Sequence, residues 1–354
     1  MCIRDRPRAS STTAFPGITD TGWTPPDPTH AVGPDHIVST VNMSLAFYAK
    51  DGTLEYSNDL GDAGNPGFFE PLGAGGFTFD PKCFYDHIAD RFVVLALEVY
   101  GSTESWITFA VSDDSDPNGT WYKYRFDVTA AAGDTDIDSP NMGMDAQAVY
   151  LTADFFGPDK YLIYIVEKAP LLTGGTPQTR SLLNTGSQSW GIPVMYTAAP
   201  RYYMIQAFEG SSSSSLRLHA INDPLGTPSL TSVNLSVPTY TYPQDPPQQG
   251  TSSRPALFEP RFWSCVFRNG RMYATHHQGD SRALQRWYEI DMASWPQSGT
   301  PSLVQSGDVD PGPGRRSFFG SIGVDGQGNV GLTYARSSTT EFISMARSWH
   351  QAGA

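Results

Sequence analysis

The chain has 354 residues, a formal net charge of −13, 17% charged residues and 12% aromatic residues, with 34 Gly and 28 Pro. Helical bundles and coiled coils need far more Ala, Leu, Glu and Lys, and disordered chains contain fewer aromatic and β-branched residues, so both classes are excluded. The acidic charge repels phosphate backbones, which argues against a nucleic-acid partner. No apolar run approaches 18 residues, so we expect no membrane span.

The first residues of the chain do not resemble a leader. Residues 1–6 are charged and have no apolar core or small-residue cleavage site, so residues 1–14 are expected to be a non-native or disordered segment rather than a signal peptide. Residues 15–354 are expected to form a single domain, with truncation at its C-terminus left open. None of the three cysteines, Cys2, Cys83 and Cys265, forms a CxxC pair, and we expect no bond between Cys83 and Cys265.

Internal repetition is the most informative feature of the chain. Six related units are separated by 53, 58, 61, 60 and 57 residues and begin at Asp27, Asp80, Asp138, Ala199, Glu259 and Arg316. In each unit a polar opening leads through a short apolar strand and an Asp/Gly turn into a second, more apolar strand, and two further strand-like runs usually follow. Four strands in 40 to 60 residues are typical of a β-propeller blade.

The sequence therefore predicts an all-β fold, a β-propeller of six blades, with five or seven blades as alternatives. A pair of β-sandwiches gives no reason for a sixfold repeat, and a β-helix would have much shorter rungs. Helical periodicity is nearly absent.

Several segments in the repeats carry a family resemblance. They are Pro25–Val38, Tyr85–Phe92, Ala110–Trp121, Arg286–Ile290 and Gly320–Asn329. Together they resemble a family of secreted bacterial β-propellers of largely unassigned function, distantly similar to sialidase-type propellers with Asp boxes. The run Ser112–Trp121 is similar to a degenerate Asp box, a structural turn in such proteins. The resemblance covers nearly the whole chain from about residue 15 and implies a secreted or cell-surface protein.

Acidic turns raise the question of a metal. Residues 114–119 match the first half of an EF-hand loop, but Arg125 stands where the loop needs a bidentate glutamate. The alternation over residues 134–138 could also surround a cation. No cofactor is expected, with calcium as the alternative; its candidate ligands are Asp114, Asp116, Asn118, Asp134 and Asp136.

Two further polar patterns are candidates for chemistry. Arg201, Arg261 and Arg316 stand near the openings of three repeats, where arginines could clamp a carboxylate; the alternative is that they stack and hydrogen-bond in turns. His276 and His277 are adjacent, and one of them could act as a general base. Because neighbours on a strand point to opposite faces, a structural histidine is the favoured interpretation.

Propellers bind ligands where equivalent loops of their blades converge, at the mouth of the central channel. The repeat openings therefore predict a ligand-binding rim that consists of Asp27, His30, Asp80, Asp138, Glu259, Arg261 and Arg316. The rim acids should have raised pKa values unless an arginine, histidine or cation neutralises them. The alternative is that these residues cap strands and anchor turns.

Two functions fit such a rim. In the first, a monomeric, secreted or cell-surface propeller binds an extracellular glycan or polymer without cleaving it. In the second, the chain is a carbohydrate-active enzyme, a glycoside hydrolase or polysaccharide lyase, with Asp80, Asp138, His276 and His277 as catalytic candidates. The enzyme requires a carboxylate pair about 5–10 Å apart or a His–Tyr–Arg cluster. The net acidity argues against anionic polysaccharides.

Overall fold

The computed structural model describes residues 14–61, 66–73, 77–100, 103–157, 159–186, 190–279 and 281–353. Cys2 and residues 1–13 of the N-terminal segment lie outside these ranges. The described residues divide into two compact units. The N-terminal unit comprises residues 14–186 with 224–228, and the C-terminal unit comprises residues 190–223 with 229–353. The assignment of residues 15–354 to a single domain stays a prediction.

Strands form nearly all of the regular structure. In the N-terminal unit they are β1 (Thr29–Val32), β2 (His36–Val41), β3 (Ser44–Ala49), β4 (Leu54–Asp59), β5 (Thr78–Asp86), β6 (Arg91–Tyr100), β7 (Glu104–Ser112), β8 (Trp121–Asp127), β9 (Ile137–Met144), β10 (Ala148–Phe155), β11 (Lys160–Glu167) and β12 (Thr179–Thr185). In the C-terminal unit they are β13 (Val194–Met195), β14 (Tyr202–Ala207), β15 (Ser212–Asn222), β16 (Ser229–Thr241), β17 (Ser264–Arg268), β18 (Arg271–Gln278), β19 (Leu284–Asp291), β20 (Ser302–Val309), β21 (Arg316–Val324), β22 (Val330–Ser338) and β23 (Glu341–His350). The short helices are α1 (Thr129–Ala132), α2 (Lys168–Leu171) and a 3-10 helix (Glu70–Leu72).

The strands pair as antiparallel meanders in chain order. In the N-terminal unit the orders are β1-β2-β3-β4, β5-β6-β7-β8 and β9-β10-β11-β12. In the C-terminal unit they are β14-β15-β16, β17-β18-β19-β20 and β21-β22-β23, and the two-residue β13 pairs in parallel with β17. A meander of sequential antiparallel strands is the topology of a propeller blade.

The chain is therefore an all-β protein with the β-propeller fold, as its repeats predict. Each repeat begins at or near the first strand of a meander. Two of the described meanders have three strands, whereas the repeats predict four. The number of blades stays a prediction. Among the described residues, no helix has the length and apolarity that a membrane crossing requires.

Burial of the second strand is complete in the third meander of the N-terminal unit. All eight residues of β10 are buried. The fourth strands β4 and β12 expose residues along their length. Trp121 contributes to the core of the N-terminal unit, where its ring stacks on Phe47 with centroids 5.6 Å apart. Its indole N–H donates to the carbonyl oxygen of Pro117 (2.7 Å), so the run that resembles an Asp box forms a structural turn here.

The two cysteines within the described ranges form no disulfide. Cys83 and Cys265 are both buried free thiols. Burial raises the pKa of the Cys83 thiol to about 11, so this side chain is a neutral core residue at physiological pH.

A buried ion pair ties the end of β5 to α2 within the N-terminal unit. Lys168 and Asp86 are 3% and 1% exposed, and the Lys168 Nζ lies 2.5 Å from Asp86 Oδ2. The ammonium also donates to the carbonyl oxygen of Asp145, and Asp86 Oδ1 accepts the N–H of Ile88. Because both charges are desolvated, each depends on the other.

Lys168→Met should lower the free energy of unfolding by about 3–5 kcal/mol, because it leaves the Asp86 carboxylate buried without its cation. The double variant Lys168→Met/Asp86→Asn should recover much of this loss, since the amide keeps the turn acceptor without the charge. Urea unfolding of both variants measures the difference. A single variant within 1 kcal/mol of the wild type would show that the pair contributes little.

Candidate functional site

The first strands of the three N-terminal meanders bring three acids together. Asp27 lies two residues before β1, Asp80 lies in β5 and Asp138 lies in β9. Each of the three side chains is partly buried. These strands are equivalent in the repeat, so the equivalence places the three carboxyl groups near one another.

The backbone at these positions departs from regular strand geometry, and this changes the direction of the side chains. Asp27 and Asp80 have φ values of 41° and 51°, and Ser139, next to Asp138, has a φ of 49°. The pairing of β5 with β6 shifts register between Phe79 and Lys82, and the pairing of β9 with β10 shifts register beside Asp138. Such bulges redirect a side chain and are frequent next to functional sites. The Asp80 carboxyl therefore points where a regular strand would not place it.

Electrostatics make Asp80 the unusual member of the cluster. Burial raises its pKa to about 8, and the charges of Asp27 and Asp138 add to this shift, whereas Lys82 opposes it. Burial also raises the pKa of Asp27, again against Lys82. The carboxyl of Asp80 is hydrogen-bonded to those of Asp27 and Asp138. Asp80 is thus mostly protonated at neutral pH, because burial disfavours its charged form and the neighbouring carboxylates repel it.

Asn42 holds the cluster in place. This buried residue follows β2, and its Nδ2 lies 3.4 Å from both Asp27 Oδ2 and Asp80 Oδ1. Its Oδ1 accepts the backbone N–H of Asp80 (3.1 Å), which fixes the bulge. The sequence patterns predict neither Asn42 nor Lys82 as a site residue. Lys82 stands two residues after Asp80, so the alternation of a strand could have pointed to it; Asn42 carries no such signal.

Three aromatic residues lie within four residues of Asp27 or Asp80 in the sequence, and their rings pack against one another. Trp23 and Phe77 are 44% and 39% exposed, with ring centroids 5.6 Å apart. Phe79, next to Asp80, packs against Phe77 at 5.0 Å. The segments that carry Asp27 and Asp80 therefore also have exposed aromatic surface.

The other rim candidates occupy different surroundings. His30 lies on β1 and keeps an exposed edge; desolvation of the rest lowers its pKa, and within the described residues it forms no hydrogen bond with the three acids. Glu259 and Arg261 belong to the C-terminal unit and form an ion pair. Arg316, in the same unit, donates to the carbonyl oxygen of Gly314 (2.6 Å). Their participation in ligand binding stays a prediction.

The adjacent histidines of β18 are completely buried. His276 Nε2 lies 2.8 Å from the hydroxyl of Tyr288, and burial holds the pKa of His276 well below its usual value. Burial lowers the pKa of His277 to about 4. Both rings are therefore uncharged at neutral pH. This environment is typical of structural histidines, and a catalytic role for either one stays a prediction.

The calcium candidates support turns. Asp114 Oδ1 accepts the N–H of Asp116 (2.7 Å), and Asp116 Oδ1 accepts the N–H of Asn118 (3.0 Å). Asp134 Oδ1 likewise accepts the N–H of Asp136 (3.1 Å). Across the ranges that the structure describes, no group of three or more His, Cys, Asp or Glu side chains has a geometry suited to a metal ion. A calcium site stays a prediction without a preferred location.

Comparisons with known proteins give only distant likenesses. No protein-family model matches the chain, and no curated protein matches it. Among solved structures, it is similar to an exo-β-1,3-galactanase from Phanerochaete chrysosporium (10% identity, 94% of this chain and 92% of that chain, TM-score 0.42). It is also similar to a GH43_1 enzyme from Xanthomonas citri (15%, 92% and 86%, 0.38) and to a DUF4623-family protein from Bacteroides eggerthii (10%, 91% and 70%, 0.40). At these TM-scores the likenesses carry no argument about chemistry.

Asp80→Asn should stabilise the protein, and the gain should grow with pH. An acid whose pKa rises on folding binds more protons in the folded state, so wild-type stability falls as pH rises from about 4 to about 8. The asparagine variant lacks this titration. We expect it to gain about 1–2 kcal/mol over the wild type at pH 8, after allowance for solvent screening, and much less near pH 4.

Urea unfolding at several pH values between 4 and 8 measures this difference. Asp35→Asn, which makes the same change at an exposed position of the same unit, is the matched control. A gain that does not depend on pH, or a loss at pH 8, would contradict a protonated Asp80.

Proposed function

We propose that the chain is a carbohydrate-active β-propeller, a glycoside hydrolase that binds a neutral glycan at the cluster of Asp27, Asp80 and Asp138. The observation that carries this proposal is the convergence of partly buried carboxyl groups: Asp27 and Asp80 share the Asn42 Nδ2 at 3.4 Å, and burial beside Asp138 raises the pKa of Asp80 to about 8. Perturbed carboxyl groups of this kind concentrate at catalytic sites, because catalysis needs one acid protonated and another ionised at the same pH.

Cleavage of a glycosidic bond needs these two states. One carboxylic acid protonates the leaving oxygen, and one carboxylate either activates a water or attacks the anomeric carbon. Asp80 suits the first role because it keeps its proton at neutral pH. Asp138, hydrogen-bonded to Asp80, is the candidate for the second role, and Asp27 raises the pKa of Asp80. Asn42 fixes the geometry through the Asp80 backbone N–H.

The surroundings of the cluster suit a sugar better than a charged metabolite. Trp23 and Phe77 offer exposed ring surface on which the apolar face of a sugar can stack. Carboxyl and amide groups accept and donate hydrogen bonds to hydroxyls. The net charge of −13 repels uronates and phosphates, so the ligand class is neutral.

A neutral glycan ligand also fits the expected localisation and oligomeric state. Polymeric neutral glycans lie outside cells, which fits a secreted or cell-surface protein. One cluster within one unit can act without a second copy of the chain, which fits a monomer. Neither lyase chemistry nor a sialidase-type arginine clamp is part of the proposal, because the acidic charge disfavours the anionic substrates of both.

A second candidate function is glycan binding without cleavage. One observation favours it: the carboxyl groups of Asp80 and Asp138 touch through a hydrogen bond, whereas the acid and base of glycosidases lie about 5–10 Å apart. In the hydrolase, the arriving sugar must separate this pair. In the binding protein, the pair stays together and only its outer oxygens contact hydroxyls.

Asp80→Asn should reduce kcat on neutral glycans by about 10²–10⁴-fold, because it removes the proton donor. The wild-type kcat should fall above about pH 8, where Asp80 loses its proton. Release of reducing sugar from xylan, arabinogalactan and barley β-glucan measures both effects, with Asp35→Asn as the charge-matched control.

An aryl glycoside with a good leaving group needs little proton donation, so its turnover by Asp80→Asn should be reduced far less. Equal losses on both substrate types would contradict the acid role of Asp80. If no neutral glycan is cleaved although one is bound, the function is glycan binding alone.

A further inference from the structure

An open pocket in the C-terminal unit has a polar lining with a single positive charge. It lies beside the connection from β16 to β17, and its volume is about 320 Å³, near the lower end of the range of small-molecule sites. Its described lining includes Gln248, Thr251, Ser252, Arg254 and Thr339, and the only charged member of that lining is Arg254. Among the described residues, the pocket therefore offers hydrogen-bonding groups and a cation but no carboxylate.

Two arginines at this pocket keep most of their hydrogen-bond donors unused. Arg254 Nη1 donates to the carbonyl oxygen of Asp245 (3.1 Å), and Arg316 Nη1 donates to that of Gly314. Within the described ranges, neither guanidinium forms an ion pair, and the Nε and Nη2 groups of both have no protein partner. Because a guanidinium carries five N–H donors in a planar fork, both residues can still bind a ligand.

The strand pairing places Arg316 beside the pocket. Arg316 pairs with Ser337 across β21 and β22, and the Ser337 hydroxyl donates to the carbonyl oxygen of Pro247 (2.7 Å), which belongs to the pocket lining. A third arginine, Arg282, lies in the turn after β18. It donates to the carbonyl oxygen of Gly312 (3.2 Å), two residues before the carbonyl group that Arg316 contacts.

The charges of the three arginines act on one another. The pKa of Arg316 lies below its ordinary value because of burial and then because of the positive charges of Arg282 and Arg254. No described acid makes a comparable opposing contribution at Arg316. We call Arg254, Arg282 and Arg316 the arginine cluster. Since like charges disfavour each other, an anion bound between them would relieve their repulsion.

Two of the nearby acids pair with arginines. Asp310 Oδ1 lies 2.9 Å from Arg282 Nη1. Glu341 pairs with two arginines at once, at 2.8 Å from Arg315 Nε and 2.6 Å from Arg336 Nη2. These two acids therefore compensate fewer charges than the arginines around them carry.

The third nearby acid, Asp245, does not pair with the arginine next to it. Its Oδ1 accepts the N–H of Leu257 (2.9 Å), and Arg254 contacts its carbonyl oxygen rather than its carboxylate. Even with Asp245 included, the three acids named here face five arginines, so the local charge is positive. The net charge of −13 belongs to the whole chain, and charges farther away than about 8 Å are largely screened at physiological ionic strength.

An oxyanion on a molecule of sugar size fits these features. Guanidinium forks bind carboxylates and phosphates through paired N–H···O bonds, which are stronger than bonds between neutral groups. The polar side chains of Gln248, Thr251 and Thr339 can hydrogen-bond to the hydroxyls of a sugar ring. A volume of about 320 Å³ exceeds what a bare inorganic ion needs.

We propose that this pocket is an anion site that binds a sugar acid or a sugar phosphate. Arg254 and Arg316 donate to the oxyanion, and Arg282 adds its positive charge. The site belongs to the C-terminal unit, carries out no chemistry and does not depend on the proposed hydrolase.

Isothermal titration calorimetry with glucuronate, glucose 6-phosphate and glucose, at constant ionic strength, tests the proposal. We expect at least one of the two anionic sugars to bind, and glucose, which lacks the charge, to bind at least tenfold more weakly. Glucuronate binding identifies a carboxylate ligand, and glucose 6-phosphate binding a phosphate ligand. Arg254→Gln and Arg316→Gln should each weaken this binding tenfold or more. Arg217→Gln is the matched control, since Arg217 is an exposed arginine of the same unit outside the pocket.

The proposal is wrong if neither anionic sugar binds more tightly than glucose, or if Arg254→Gln binds them as the wild type does. An equal loss of affinity in Arg217→Gln would also overturn it, because the attraction would then come from net charge alone. If Arg316→Gln lowers Tm, the result for Arg254→Gln decides, because Arg254 is exposed. Asp80→Asn should bind the anionic sugars as the wild type does, so failure of the hydrolase and failure of this site can be told apart.

Discussion

The chemistry of the N-terminal unit depends on one constraint: the carboxyl group of Asp80 is held between those of Asp27 and Asp138. Each first strand supplies one acid, and burial together with mutual repulsion makes the fully ionised state costly. Lys82 relieves part of this cost, and the shift of the Asp80 pKa to about 8 relieves the rest by retaining a proton. A proton that is retained at neutral pH and shared among acids is also the feature that a glycosidase needs. The same electrostatic cost therefore destabilises the fold and leaves the site with a carboxylic acid that is still protonated at neutral pH.

The same backbone irregularity occurs in the two units with different side chains. A left-handed residue at a register shift in a first strand aims Asp80 in β5 and Phe319 in β21. In the N-terminal unit the aimed groups are acids, which suit proton transfer. In the C-terminal unit they are phenyl rings, which suit stacking. A repeat fold can vary such positions without changing its meanders, because a residue within a register shift has no directly paired residue on the next strand.

The spacing of the repeats was enough to predict the all-β class, the first strands and hence the positions of Asp27, Asp80 and Asp138. It could not predict Asn42, since this residue lies in the turn after β2 and reaches Asp80 across 38 positions of sequence. Nor could it predict the three-stranded meanders, because strand number depends on pairing rather than on period. The positive φ angles of the exposed Phe258 and Phe319 could not be predicted from the sequence, because phenylalanine rarely adopts a positive φ and no sequence pattern marks the exceptions. These features depend on local backbone conformation and on contacts between residues distant in sequence, and the repeat period carries information on neither.

The proposed chemistry of the N-terminal unit requires that Asp80 keep its proton at neutral pH. A ¹³C NMR titration of protein labelled at its aspartate carboxyl carbons, from pH 3 to pH 9, tests it most directly. We expect one carboxyl resonance that titrates with a midpoint near pH 8 and is absent from the Asp80→Asn spectrum. If every aspartate carboxyl is fully ionised by about pH 6, Asp80 is an ordinary surface acid. The carboxyl cluster then has no proton to donate.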